Sequence, residues 1–444
     1  MSSHSVHAPP PVPGNAASSA SAALNARIFR RLMPLLVLSY VISFIDRTNI
    51  ALAKTHIEVD LGISAAAYGL GAGLFFLSYA LLEVPSNLVM HRVGARFWIT
   101  RIMVTWGLLS AGMAFITGET SFYVMRVLLG AAEAGLFPGV MLYLTYWFGR
   151  EERARAIGYF LLGVCIANIL SGPVGGALLQ MDGILGWHGW QWMFVIEGLP
   201  AVALAWVVWK KLPDGPASAP WLTAAESRQV MERLQAEQDQ QASAGQVGHS
   251  LGDCLRDRQI WLAILVYFCH QISIYTVIFF LPGIIGTYGQ LSPLQIGTFN
   301  SVPWIAAAIG AAWLPRFATH PQRCRRMLLA GLATMAAGLL VAALAGKASP
   351  ALGLLGFSLT ALMFFVVQSV VFLFPASRLA GAGLAGGIAL VNTCGLVGGF
   401  IGPTVMGMIE QATGSTRNGL FIMAGLLVVA ALASTRLRQG QETP

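Results

Sequence analysis

Charge is scarce in this sequence: Asp, Glu, Lys and Arg make up only 10% of its 444 residues. A soluble domain carries about 25% charged residues, so an ordinary water-soluble globule is excluded. Cysteine is sparse as well. Cys165, Cys254, Cys269, Cys324 and Cys394 have no paired spacing, which argues against both a disulfide framework and a zinc site. HExxH, a nucleophile elbow and a phosphate-binding loop in a strand-to-helix setting are all missing, so the chain does not read as an enzyme. Acidic residues are outnumbered 19 to 27 by Lys and Arg, giving a net charge of +8. Because the basic residues are scattered over several connections, that excess does not describe a nucleic-acid surface.

Apolar residues are what the chain has in quantity: 56% of the total, with a mean hydropathy of +0.67. A helix needs roughly 20 apolar residues to cross a bilayer. About a dozen such runs are visible: 32–53, 66–90, 97–117, 122–147, 154–180, 191–211, 259–286, 293–315, 325–346, 350–374, 379–410 and 418–435. They are too long for barrel strands of about 9–11 residues. The expected class is an all-α integral membrane protein with twelve helices in two pseudo-symmetric six-helix bundles.

Most Lys and Arg fall in the tails and the even-to-odd connections, whereas only Lys54, Lys347 and Arg417 fall near the odd-to-even ones. The positive-inside rule therefore predicts both termini in the cytoplasm. Residues 1–24 are rich in Ser, Ala and Pro without Lys or Arg, and the tail 1–26 is expected to be disordered. The most polar internal stretch, 213–258, divides an N-terminal bundle (27–212) from a C-terminal bundle (259–438), followed by a short tail (439–444). Gly172-Pro173 in the fifth run and Gly402-Pro403 in the eleventh hint at internal repetition, a pattern found in transporters.

Four charges sit where water should be scarce. Asp46 and Arg47 lie inside run 32–53, and Arg126 and Glu133 inside run 122–147. A charge at the centre of a spanning helix costs about 2.5–3.5 kcal/mol, so such residues usually line a substrate or proton pathway. Arg47 offers a planar fork that matches carboxylate geometry. Asp46 points about 100° away from it and can serve a different partner. Arg126 and Glu133 are about two turns, roughly 10 Å, apart on nearly one face, so each needs a partner from another helix, a water or a transported anion.

FIDRTN (44–49), VPSNLVMHRVGARFW (84–98), EAGLFPGVMLYLTYWFGREERARA (133–156) and GWQWMFVIEGLP (189–200) resemble the anion:cation symporter family of the major facilitator superfamily. The resemblance covers nearly all of 27–440 and leans toward bacterial tartrate, sugar-acid and hydroxyphenylacetate permeases. It implies proton-coupled uptake of a small organic anion by alternating access across a bacterial inner membrane. Asp46 and Glu133 would then handle protons and Arg47 would hold the anion. Tyr79 and Asn392 match family positions near the anion, Gln271 lies on a seventh helix that is commonly broken beside the site, and Arg126 is a further candidate ligand. The loop Arg92-Val93-Gly94-Ala95-Arg96 resembles the superfamily's cytoplasmic gate lock, so Arg92, Gly94 and Arg96 are assigned to gating.

Each of these polar residues has a plainer reading as a helix-to-helix hydrogen bonder. That reading also covers Asn168, Gln368, Ser369 and His270, while Glu83 and Glu197 are expected at helix-end or gate positions. Two departures from the family stand out. The tenth helix reads Val371-Phe372-Leu373-Phe374-Pro375 without the usual Trp, and Leu314-Pro315-Arg316 replaces an Asp-Arg pair. A monomer embedded in the lipid bilayer, with no cofactor other than coupling protons, is expected. The alternatives are an anion exchanger or uniporter on the same fold and, more remotely, a transporter-like membrane sensor.

Overall fold

The computed structural model describes residues 14–243, 251–318, 320–379 and 381–438. The expected tail segments 1–13 and 439–444 lie outside them. Every element of regular structure among the described residues is helical. The first bundle comprises α1 (Gly14–Leu61), α2 (Ala65–Val93), α3 (Ala95–Gly112), the broken span α4 (Glu119–Glu133) and α5 (Leu136–Thr145), α6 (Arg150–Leu179) and α7 (Gly189–Lys211). The connecting stretch carries α8 (Ala224–Ser243) and α9 (Leu251–Arg256). The second bundle comprises α10 (Arg258–Gly286), α11 (Pro293–Trp313), α12 (Pro321–Ala345), α13 (Pro350–Arg378), α14 (Gly381–Thr413) and α15 (Arg417–Ser434). Eleven spans among the described residues are long and apolar enough to cross a membrane. The twelfth, α11, has the length, but Gln295, Asn300 and two prolines dilute its apolar content.

Two expected boundaries move. α1 begins at Gly14, inside the segment expected to be a disordered tail, because Ala16, Ala17, Ala20, Ala22, Ala23 and Ala26 favour helix. The helix is also tied down: Asn25 Nδ2 donates to Glu152 at 2.7 Å, and Arg27 pairs with Glu226. The connecting stretch is likewise more than a tether. α8 docks on the first bundle through Arg27 and through Arg233, which donates to Asn25 at 3.1 Å, while Trp221 stacks on Trp147 with ring centroids 5.5 Å apart.

The bundles meet through α2 against α14, α6 against α11 and α1 against α10. Lipid cannot drive two helices together as water does, so such seams rely on small residues that allow close approach. A Cβ added to Gly297 would lie 1.9 Å from the Gly172 carbonyl oxygen, and one added to Gly69 would lie 2.3 Å from that of Pro403. The two Gly-Pro pairs thus occupy equivalent seams in the two halves. Polar links reinforce the same end of the molecule, the one remote from the chain termini. Ser301 Oγ donates to the Ile169 carbonyl at 2.6 Å, Tyr68 OH to that of Phe279 at 3.1 Å, and the Ala66 amide to Gln411 at 3.2 Å. Buried Lys54 bridges Glu58 and Glu410, each at 2.9 Å. That end is closed.

Substituting Gly297→Leu should force α6 and α11 apart at a cost of about 1–3 kcal/mol. The unfolding temperature in detergent is expected to fall progressively through Gly297→Ala to Gly297→Leu; equal midpoints for all three would contradict so close a seam.

Candidate functional site

α1 carries two polar faces. Tyr40, Ser43, Arg47 and Lys54 recur at spacings of three, four and seven and so share one side, while Asp46 and Asn49 lie on another. On the first side, Arg47 is 7% exposed and forms an ion pair with Glu133, which is 1% exposed. Ser43 Oγ donates to the same Glu133 oxygen. The guanidinium lies over the rings of Phe44, Phe75 and Tyr79, 4.7, 5.3 and 5.2 Å from their centroids. Tyr275 on α10 lies close to the same guanidinium and brings the second bundle to the site. Arg47 Nε is buried without a hydrogen-bond partner. The arrangement therefore offers a cation with a donor in reserve and a carboxylate that a competing anion would have to displace.

Glu133 owes its position to a break. It is the last residue of α4; Ala134 leaves the helix at ψ 128° and Gly135 adopts φ +95°, a left-handed conformation that favours glycine. A Cβ at Gly135 would also approach Ser86 Oγ to 2.1 Å. Ser86 Oγ donates to the Ala134 carbonyl at 2.8 Å, satisfying a group that the broken helix frees. Pro138, one turn on, needs no amide partner in the first turn of α5.

Arg126 is spent elsewhere. Its Nε donates to the Gly71 carbonyl at 3.2 Å and an Nη to that of Ala72 at 3.4 Å, and its guanidinium lies 4.9 Å from the centroid of Phe75. Phe75 thus separates the two arginines. Asp46 faces away from Arg47, accepting from Trp106 Nε1 and from Ser110 Oγ, each at 2.8 Å. Glu197 does not occupy the expected helix-end position. It lies within α7, 6% exposed, because the apolar run continues on both sides of it.

The second bundle contributes uncharged groups. Gln271 sits on α10 one turn before Tyr275 and contacts His270 Nδ1 at 3.1 Å, while His270 Nε2 reaches the Phe364 carbonyl at 3.2 Å. α10 runs unbroken past Gln271, contrary to the expected interruption, because no Gly or Pro falls between Arg258 and Leu281. Asn392 is half-buried on α14, three residues before Gly395, where a Cβ would meet the Tyr267 ring. The structure thus gathers Arg47, Tyr79 and Glu133 into one cluster, with Arg126 behind Phe75 and Gln271 on the facing helix; Asp46 is turned to α3.

The α2–α3 loop is held by the stretch after α7. Gly94 has φ +93°, the Arg96 amide donates to Asp214 Oδ1 at 2.9 Å, and Arg96 Nε lies 3.8 Å from Oδ2, while Arg92 is exposed. At the corresponding connection of the second bundle, Arg316 lies 4.9 Å from the ring centroids of both Trp313 and Phe317. Sequence reasoning missed Ser43, Tyr275, Trp106, Ser110 and the bridging role of Lys54. Ser43 was detectable, being one helical turn from Arg47, and Lys54 lies two turns on along the same face; Tyr275, Trp106 and Ser110 come from helices distant in sequence.

The family described as Major Facilitator Superfamily matches residues 36–403. A relative named "Putative tartrate transporter" from Agrobacterium vitis is 40% identical over 92% of this chain and 91% of its own length. A "Quinolone resistance transporter" from Acinetobacter baumannii is also 40% identical, over 93% of this chain and 95% of its own. The inward-open structure of the xylose transporter XylE from E. coli superposes with a TM-score of 0.75 at 13% identity, over 94% of this chain and 98% of that one.

Removing one member of a buried ion pair leaves an uncompensated charge and costs about 3–5 kcal/mol, whereas replacing both by apolar groups is often neutral. Glu133→Leu should therefore lower the unfolding temperature more than the double variant Arg47→Met/Glu133→Leu does. If the double variant is the less stable, the pair contributes net stability and this assignment of its energetics fails.

Proposed function

The chain belongs to the Major Facilitator Superfamily, and from that premise we propose that this membrane transporter imports a small organic acid anion together with protons across a bacterial inner membrane. The observation that carries the reading is the Arg47–Glu133 pair, with its reserve donor at Arg47 Nε and its collar of Tyr79, Phe75 and Tyr275. A guanidinium in low dielectric recognises a carboxylate well, but here Glu133 already occupies it. A substrate carboxylate gains access when a proton neutralises Glu133, and it is expelled when that proton leaves. With Asp46 and Arg126 included, two acids balance two bases. Protonating both acids makes the site net positive and favours an anion; deprotonation restores the competition.

Positive-inside orientation would place the chain termini in the cytoplasm. The end closed by the glycine seams and by Lys54 would then face outward, making this a state poised for inward release. If protons exceed the substrate's negative charge by one, the membrane potential adds about 2.3 kcal/mol per 100 mV, roughly a fifty-fold gradient. The name of the A. vitis relative favours tartrate as the first probe, and sugar acids and aromatic carboxylates share the carboxylate that Arg47 would bind.

The test combines binding and transport. Purified protein should unfold at a higher temperature with tartrate or another carboxylate from a small panel, since a ligand that prefers the folded state stabilises it, and Arg47→Ala should abolish the shift. In proteoliposomes, uphill uptake of the same anion should collapse on adding a protonophore. Uphill uptake that survives the protonophore would replace symport with exchange, and an Arg47→Ala variant that still binds and accumulates the anion would remove the ligand assignment.

A further inference from the structure

Behind Arg47, on the other face of α1, lies a second polar cluster that the anion site does not use. Asn49 is 1% exposed, and both its amide oxygen and its amide nitrogen are buried without an ordinary hydrogen bond. Both carboxyl oxygens of Glu197 on α7 are also buried without an ordinary hydrogen bond, and the Asn49 side chain lies within weaker hydrogen-bonding reach of that carboxyl. Asp46 adjoins them: its carboxyl is anchored by Trp106 and Ser110 of α3, and a Cβ added to Gly198, next to Glu197, would approach Ser110 Cβ to 3.1 Å. Glycines allow this packing. Gly175 on α6 leaves its would-be Cβ 3.4 Å from Glu197 Oε1, and Gly198 and Gly107 bring α7 and α3 together.

Buried polar groups are almost always well satisfied, so two adjacent residues that meet each other only beyond ordinary hydrogen-bond distance call for an explanation. A purely structural carboxyl would have close donors, as Asp46 has two at 2.8 Å, whereas Glu197 has the more distant Asn49 amide. The charges facing the cluster make the need sharper. α1 brings Asp46, and its Arg47 is turned to Glu133; α4 brings Glu133, already paired; α3 brings Trp106 and Ser110, and α6 brings Gly175, none of them charged. Among the described residues, no Lys, Arg or His forms an ion pair with Asp46 or Glu197. Two carboxyl groups that interact strongly with no counter-cation can share a proton.

We propose that Glu197 is a proton-relay residue, exchanging one proton with Asp46 through a bridging water that the Asn49 amide holds, along a path that α1 separates from the anion site. The transfer is simple: an O–H bond on one carboxyl breaks as one forms on the other, with no change of oxidation state. Asn49 suits the middle position because its oxygen accepts from a protonated carboxyl while its nitrogen donates to an ionised one. An ionised Asp46 keeps its two fixed donors, and an ionised Glu197 is met by the Asn49 amide nitrogen, so either carboxyl can hold the proton without leaving the other wholly unsolvated. The proposal rests on proton-coupled uptake and adds a residue that the motif-based reading treated as structural.

Two arms keep the proposal separable from the reading on which it rests. The first is infrared difference spectroscopy of the protein in liposomes during a pH step, which needs no substrate. The protonated-carboxyl absorption should lose one component in Glu197→Gln, a component that shifts in Asp46→Asn and Asn49→Leu and returns in Glu197→Asp, while any contribution from Glu133 remains. A band unchanged in Glu197→Gln would overturn the proposal whether or not transport is proton-driven. The second arm uses tartrate in proteoliposomes with an imposed pH gradient of about one unit, across which each coupled proton supports about tenfold accumulation. Glu197→Gln should lose about that factor in driven accumulation, and lose proportionately less in tartrate counterflow. Equal losses in both assays would make Glu197 structural and overturn the relay. If the wild type shows no proton-driven accumulation while the infrared pattern holds, symport fails and the shared proton stands.

Discussion

The ion pair between Arg47 and Glu133 is the constraint around which the first bundle is arranged. A lone guanidinium in the middle of a membrane protein would be costly, so its partner must be delivered at hydrogen-bonding distance from a different helix. Delivery requires α4 to end at Glu133, which requires Gly135 in a left-handed conformation and Ser86 on α2 to take up the freed carbonyl. The aromatic collar of Phe44, Phe75 and Tyr79 then excludes water and sharpens the pair's electrostatics. Tight pairing is also what makes the site switchable in the proposed cycle. A carboxylate held this firmly is a direct competitor for a substrate carboxylate, and neutralising it changes the outcome without moving any helix.

α1 is the element through which these events would communicate. It contacts α6 and α7 within its own bundle and α10 across the interface. Its Arg47 side meets Glu133 and Tyr275, its opposite side meets Trp106 and Ser110, and its far end carries Lys54 into contact with Glu410 of α14. Rotation or tilt of this one helix alters all three environments together. Lys54 deserves its aromatic surroundings for the same reason: with Tyr68 and Phe280 beside it and two carboxylates in reach, it can exchange one acid for another while remaining paired.

Helix number and the two-bundle plan were legible because the bilayer imposes a length and a composition that apolar runs report directly. The charged positions were legible for the converse reason, since Asp46, Arg47, Arg126 and Glu133 interrupt those runs. Their partners were not. Nothing in the sequence near Arg126 says that it will donate to Gly71 and Ala72 carbonyls, because that contact depends on α2 and α4 crossing where Gly71 makes room for Phe122. Glu197 was read as a helix-end residue from the Gly198-Leu199-Pro200 that follows it; a proline inside a membrane helix is tolerated when packed, and α7 continues through it. The helical start at Gly14 escaped notice because Ser and Pro content suggests disorder while the intervening alanines favour helix.

The two bundles divide recognition unequally. In the first, the intramembrane charges are concentrated at Asp46, Arg47, Arg126, Glu133 and Glu197. In the second, the middles of α10 to α15 carry no Asp, Glu, Lys or Arg, and their polar groups include His270, Gln271, Tyr275, Gln368 and Asn392. If the cargo is the proposed anion, its net charge would be read by the first bundle and its size by the second. Changing a neutral wall costs little in folding because no ion pair has to be rebuilt. Changing the charged core would strand a partner. In the proposed reading the carboxylate would be held by the first bundle while α10, α13 and α14 form an uncharged wall, to which Phe372 belongs, its ring packing on Tyr267 at 5.0 Å.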